Sequence, residues 1–265
     1  MNSCGQKRVS ARYDFNSVND RVWIGEDFWA VPLEDWHVKQ GRIEYNGTGQ
    51  QATCTVLPYI IGPGEKSFTI SLDMGLLEMG ANSGSAGIII GSKAPEDDDI
   101  KAAIYFGSGI NVGVNTDGYA FAGQSTKNLP SDFDFSHFRL VLTGEKNKEG
   151  FLLHLQVLDD EGKTAVELRT MPEAPLAGII QLVNNPRSAR SQNSGPKFWF
   201  DNISLEGPGL SYIPENRFGP VLWSMHTLSN NILKLTAQMP PISEKDNQLV
   251  EIEFKTVNKW VSAGS

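Results

Sequence analysis

The run Lys197-Phe-Trp-Phe-Asp-Asn-Ile-Ser-Leu-Glu-Gly207 constrains this chain more than any other stretch. It is aromatic, then β-branched and aliphatic, and Gly207, Pro208 and Gly209 close it, so it reads as a strand. Its alternation slips: Phe198 and Phe200 share one parity, Ile203 and Leu205 the other. Side chains on a strand alternate faces with a period of two. Both pairs can therefore meet one core only if an extra residue is inserted near Asp201-Asn202, which is a β-bulge. Everything before this strand reads as one all-β domain, and everything after it as the start of another.

Short alternating segments recur along the chain. Phe68, Ile70, Leu72 and Met74 share a face opposite Thr69, Ser71 and Asp73; Phe138, Leu140 and Leu142 oppose Arg139 and Val141; Leu153, Leu155 and Val157 oppose His154 and Gln156. Asp35–Tyr45 reads as strand, turn at Gly41, strand, and Asn115-Thr-Asp-Gly118 is a hairpin turn signal between Val114 and Tyr119. Lys101–Phe106 reads as a strand with Ala102, Ile104 and Phe106 inward and Tyr105 outward. With turn signals every 8–12 residues and no amphipathic helix, the pattern predicts an all-β, two-sheet sandwich or jelly roll. The boundaries drawn are a flexible lead-in at 1–12, a sandwich over 13–207, a linker over 208–220 rich in Pro and Gly, and the truncated start of a second β-sandwich over 221–265. The last piece offers three or four strands with one apolar face uncovered, too little to stand alone. The 1–207 piece is expected to fold by itself.

Composition narrows the partners. The 265-residue chain carries a net charge of −8 and no basic stripe, which argues against nucleic acid. No apolar run approaches the ~20 residues of a membrane span. Glu96–Asp99 reads as a solvated loop tip, and Asn184–Gly195 as a polar loop. Cys54 lies in an apolar strand pattern and reads as a buried thiol.

No catalytic constellation is complete. The histidines His37, His137, His154 and His226 share no ligand spacing. A glycosidase needs two carboxylates about 5–5.5 Å apart in its retaining form, and Asp73 with Glu78 is the nearest approximation. Binding fits better. By parity Asp73, Tyr105, Arg139, His154 and Gln156 line the sheet face opposite the core, where an aromatic beside Arg, His and Gln can stack on and hydrogen-bond to sugar rings. Trp29 is a candidate loop platform for a sugar, whereas Trp36 is assigned to the core. Asp201 either orients the bulge through backbone N–H groups or ligates a structural calcium ion.

Two resemblances add to this reading. Residues 13–207 resemble concanavalin A-like, laminin-G-like sandwiches through Asp35-Trp36-His-Val-Lys-Gln-Gly41, Ala86-Gly-Ile-Ile-Ile-Gly91, Asn115-Thr-Asp-Gly118 and Phe198–Leu205. Phe218-Gly-Pro-Val-Leu-Trp-Ser-Met-His-Thr-Leu-Ser229, with Leu233–Pro241, resembles the segment joining two N-terminal β-domains, the second immunoglobulin- or fibronectin-like, in secreted bacterial metallophosphoesterases of the alkaline phosphatase D type. That resemblance implies a catalytic domain downstream in cis, holding two metals, in an exported parent at the periplasm or cell surface. Met1-Asn-Ser-Cys4-Gly5 is similar to the end of a lipoprotein signal, without the apolar stretch that precedes one, so Cys4 is either a lipid anchor or incidental. The expectation is a non-catalytic module that binds a glycan or packs on the catalytic domain. The rivals are a concanavalin A-like glycoside hydrolase and a structural spacer.

Overall fold

The computed structural model describes residues 8–48, 51–95, 99–148, 150–173, 176–186 and 195–265. Strands β1 (Val9–Tyr13), β2 (Phe28–Val31), β3 (Trp36–Lys39), β4 (Arg42–Tyr45), β5 (Ala52–Ile61), β6 (Phe68–Glu78) and β7 (Gly84–Lys93) precede one helix, α1 (Ile100–Phe106). There follow β8 (Ser108–Asn115), β9 (Tyr119–Ala122), β10 (Ser125–Asn128), β11 (Phe138–Lys146), β12 (Phe151–Leu158), β13 (Thr164–Thr170), β14 (Gly178–Pro186), β15 (Lys197–Gly207) and β16 (Leu210–Tyr212). The first sheet runs β13-β12-β11-β6-β15-β4-β3, with β1 also on β15; the second runs β10-β9-β8-β7-β14-β5-β16, with β2 on β5. Their facing sides close one core, in a concanavalin A-like sandwich.

The parity slip in β15 is resolved by the bulge. Asp201 pairs with Asp73 on β6 and Ser204 pairs with Ser71, so three steps on β15 match two on β6. Asn202 takes up the extra residue with φ +48°. Phe198, Phe200, Ile203 and Leu205 all end at 1% exposure or less. Burying each is worth about 1.5–3 kcal/mol, far more than a bulge costs. The same point divides the far edge of β15. Trp199 and Phe200 pair with β4, whereas Ile203 to Gly207 pair with β1.

Around Phe200 the core is aromatic: Trp36 is fully buried, 5.7 Å from Phe200 and 5.5 Å from Tyr45. The Gly41 turn forms as the sequence predicts, with Gln40 and Gly41 both at positive φ. Asn115-Thr-Asp-Gly118 likewise joins β8 to β9. Cys54 is a buried thiol, and burial pushes its pKa up.

Three expectations are corrected. Residues 101–106 are helical, because Asp99 caps the turn by accepting from the Lys101 backbone N–H at 3.1 Å. Phe106 is consequently exposed and only Ala103 on α1 is buried. The lead-in is not free to residue 12, since β1 begins at Val9, opposite Gly207. Within 208–220, β16 adds to the edge of the second sheet on β5, and Leu210 enters the core. Cys4 and most of the Glu96–Asp99 and Asn184–Gly195 stretches lie outside the described residues.

Beyond residue 220 two separate hairpins form, β17 (Trp223–Ser229) with β18 (Ile232–Gln238), and β19 (Ile252–Lys255) with β20 (Trp260–Gly264). Leu233, Leu235, Ile252 and Phe254, which alternation places inward, are all exposed. Polar contacts hold this region to the sandwich. Asp246 accepts from Asn19 at 2.8 Å and pairs with Arg21 at 2.9 Å, and the Trp23 N–H donates to the Pro241 carbonyl at 3.3 Å.

Candidate functional site

Strand register brings four of the six predicted binding residues onto the outer face of the first sheet. Asp73 lies opposite Arg139, Ser71 and Val141 continue to Gln156 and Glu167, and Thr69 and Thr143 continue to His154 and Arg169. Asp73, Arg139 and His154 are already engaged. Arg139 Nε is 3.4 Å from Asp73 Oδ1, and His154 Nε2 is 3.1 Å from Glu167 Oε2. Asp73 Oδ2 also accepts from Asn202 Nδ2 at 2.9 Å, and Asn202 Oδ1 accepts from Arg12 at 2.9 Å. A ligand here would have to displace bonds already made.

The Asp201 carboxyl lies within that network. Asn202 Nδ2 donates to Asp201 at 3.2 Å as well as to Asp73, so the two acids share one amide donor. Burial raises the Asp201 pKa. Among the described residues no cluster of three or more His, Cys, Asp or Glu side chains assembles as a metal site. The geometry gives Asp201 a place in the bulge.

Tyr105 is absent from this face. The strand reading fails there, and α1 carries Tyr105 to the second sheet, where it meets the sixth candidate. Trp29 Nε1 donates to Tyr105 Oη at 3.3 Å. Trp29 points outward from β2 because Phe28 and Ala30 take the core side. Phe218 packs edge-on to Trp29, with centroids 5.2 Å apart and planes at 83°. Together with Leu57, Ile104 and Asn216 these rings enclose an open pocket of about 280 Å³, at the low end of the ~300–1,000 Å³ usual for ligand sites. Tyr105 is 55% exposed, which leaves its ring face available.

The pocket's third wall is held from behind. Arg217 donates to Asp27 at 2.6 Å and pairs with Glu26, and the Phe218 N–H donates to the Glu26 carbonyl at 2.9 Å. Asp27 also accepts from Tyr13 Oη at 2.7 Å; burial, then that bond, raises the Tyr13 pKa. Phe218 and Asn216 were missed by sequence reasoning because they sit among the prolines and glycines of the supposed linker, where no periodicity marks a wall.

No protein-family model and no curated protein matches the sequence. Solved structures do match in fold. They include basic winged bean lectin with Tn-antigen (TM-score 0.54, 10% identity, 78% of this chain and 99% of that one) and lectin UEA-II complexed with galactose (0.52, 11%, 75% and 98%). A third is the Emp47p carbohydrate recognition domain (0.50, 14%, 78% and 99%). At these identities the likeness is one of fold.

Proposed function

We propose that this chain is a non-catalytic carbohydrate-binding module whose binding platform is the Trp29–Tyr105–Phe218 pocket. The observation that carries the reading is the convergence of three rings, from β2, α1 and the segment after β16, on one open cleft. Aromatic faces stack on the apolar sides of sugar rings, and the neighbouring Lys101 and Asn216 offer hydrogen-bonding groups. The fold supports it, since proteins of this architecture include a carbohydrate recognition domain and a galactose complex. Asp73, Arg139, His154 and Gln156 form a structural ladder in this reading.

Each stacked ring contributes about 0.5–1.5 kcal/mol, set against association costs of at least ~4 kcal/mol. Binding is therefore weak, millimolar to micromolar. The test is a glycan panel followed by calorimetry. Trp29→Ala or Tyr105→Ala weakens binding about two- to tenfold, and Arg139→Ala leaves it unchanged. Loss with Arg139→Ala alone returns the site to the first sheet; no binding across the panel favours the spacer.

The reading extends to the parent. The resemblance of Phe218–Pro241 to metallophosphoesterase N-terminal regions supports an exported protein with a catalytic domain in cis, and residues 221–265 as the opening strands of its second β-domain. Cys4 is then the lipidation site. Metabolic labelling with palmitate, lost in Cys4→Ala, tests the anchor; the coding sequence beyond Ser265 tests the parent.

A further inference from the structure

A second cleft lies where β7 ends and β8 begins, beside the β9–β10 turn and the connection from β13 to β14. It measures about 790 Å³, well within the range of ligand sites. Ser108, Asn111, Gln124, Thr170 and Glu173 line it, over an apolar floor that includes Ile110 and Leu176. The side chains of those five polar residues form no hydrogen bond or ion pair to another described residue. The contrast is with Asp73, Arg139 and His154 on the first sheet's outer face, which are engaged with neighbouring side chains.

We propose that this groove is a separate subsite for an uncharged oligosaccharide. Asn and Gln amides offer donors and acceptors together, and Ser and Thr hydroxyls do the same. That mixture matches a ligand whose every ring carries hydroxyls. Lys93 and Glu173, on the groove's lining, carry opposite charges, so neither anion nor cation is favoured. The lining is drawn from the end of β7, the start of β8, the β9–β10 turn and the β13–β14 connection. The proposal rests on the carbohydrate reading of the module but on a different cleft.

The test is nuclear magnetic resonance titration of the full chain with neutral hexasaccharides of β-1,3-glucan, β-1,4-glucan, xylan and mannan, and with hexagalacturonate. The expected result is saturable shifts of the Gly109 and Gly123 amides with a neutral hexasaccharide. Asn111→Ala combined with Gln124→Ala weakens that binding tenfold or more while Trp29 indole shifts persist. Both positions are solvent-exposed, so the core is untouched; an unchanged melting curve checks this. Shifts confined to Trp29 and Tyr105 overturn the groove and leave the carbohydrate reading standing. Shifts confined to the groove uphold it and remove the aromatic pocket. A larger response to hexagalacturonate overturns the neutral assignment, and silence with every probe overturns both readings.

Discussion

Replacing Asn202 tests whether the bulge is encoded by one residue. Asn202 sits at φ +48°, a left-handed conformation that costs an ordinary L-residue about 1–2 kcal/mol and asparagine less. Its amide also donates to the Asp73 carboxylate, whose side chain is only 14% exposed. Hydrogen bonds to charged groups contribute about 1.5–3 kcal/mol, and partial solvation here favours the lower end. Asn202→Ala loses both terms, a destabilisation of about 3 kcal/mol. For a domain of this size that lowers Tm by roughly 6–12 °C. Asn202→Gly loses the bond but keeps the backbone conformation. In an ordinary strand interior glycine is worse than alanine by about 0.5–1 kcal/mol. Here the order inverts, with glycine the more stable of the two. Urea melts of both variants, and a double-mutant cycle with Asp73→Ala expected to give a coupling near 1.5 kcal/mol, measure each part. Glycine below alanine refutes the conformational argument, and zero coupling refutes the bond.

Three further outcomes are expected. The Asn19 amide bond, then Arg21, draws the Asp246 pKa down from 3.8 to about 2. Its ionisation therefore stabilises the docked C-terminal region above pH 4, and that stabilisation is lost as pH falls from 3.8 towards 2, by about 1 kcal/mol after solvent screening; at pH 7 Asp246→Asn should be cut beyond residue 213 faster than wild type, and equal resistance of variant and wild type would count against the clamp. In a Cys4→Ala background Cys54 should resist a thiol reagent until the protein unfolds, its reaction rate tracking global unfolding; rapid labelling of that native variant would show an opening in β5. A chain shortened to residues 1–218 should melt cooperatively near the full-length Tm, whereas one ending at Gly207 loses β16 and the burial of Leu210, about 2 kcal/mol; equal stability of the two would make β16 dispensable.

Much of the sandwich is legible in the sequence because sheet parity is a local property. The slip at Asp201-Asn202 can be read without knowing any partner strand, and it places the bulge correctly. Parity also puts Asp73, Arg139, His154 and Gln156 on one face, yet it says nothing of whether they pair with each other, which depends on register across three strands. Lys101–Phe106 misleads because six residues are too few to separate periods of 2 and 3.6. The deciding signal was Asp99 as a helix cap, hidden in an acidic run that reads as a loop. Pro208 and Gly209 read as an exit from the domain. In the fold they turn the chain back, Gly209 donating to the Ser67 carbonyl and accepting from Gly62. Nothing local in the sequence joins Asn111 to Gln124 and Thr170.

The place of β15 in the first sheet sets an order on assembly. One strand, close to the end of the sandwich sequence, fills the gap between β6 on one side and β4 and β1 on the other. Its pairing with β1 joins residues nearly two hundred positions apart, as the Arg12–Asn202 contact illustrates. Contacts of such range close slowly, because loop entropy must be overcome before they form. On a ribosome, β6 and β4 would wait with open edges until residue 207 had cleared the exit tunnel. A nascent chain paused before Lys197 would carry two sticky strands and half a core, and would be the state most in need of a chaperone.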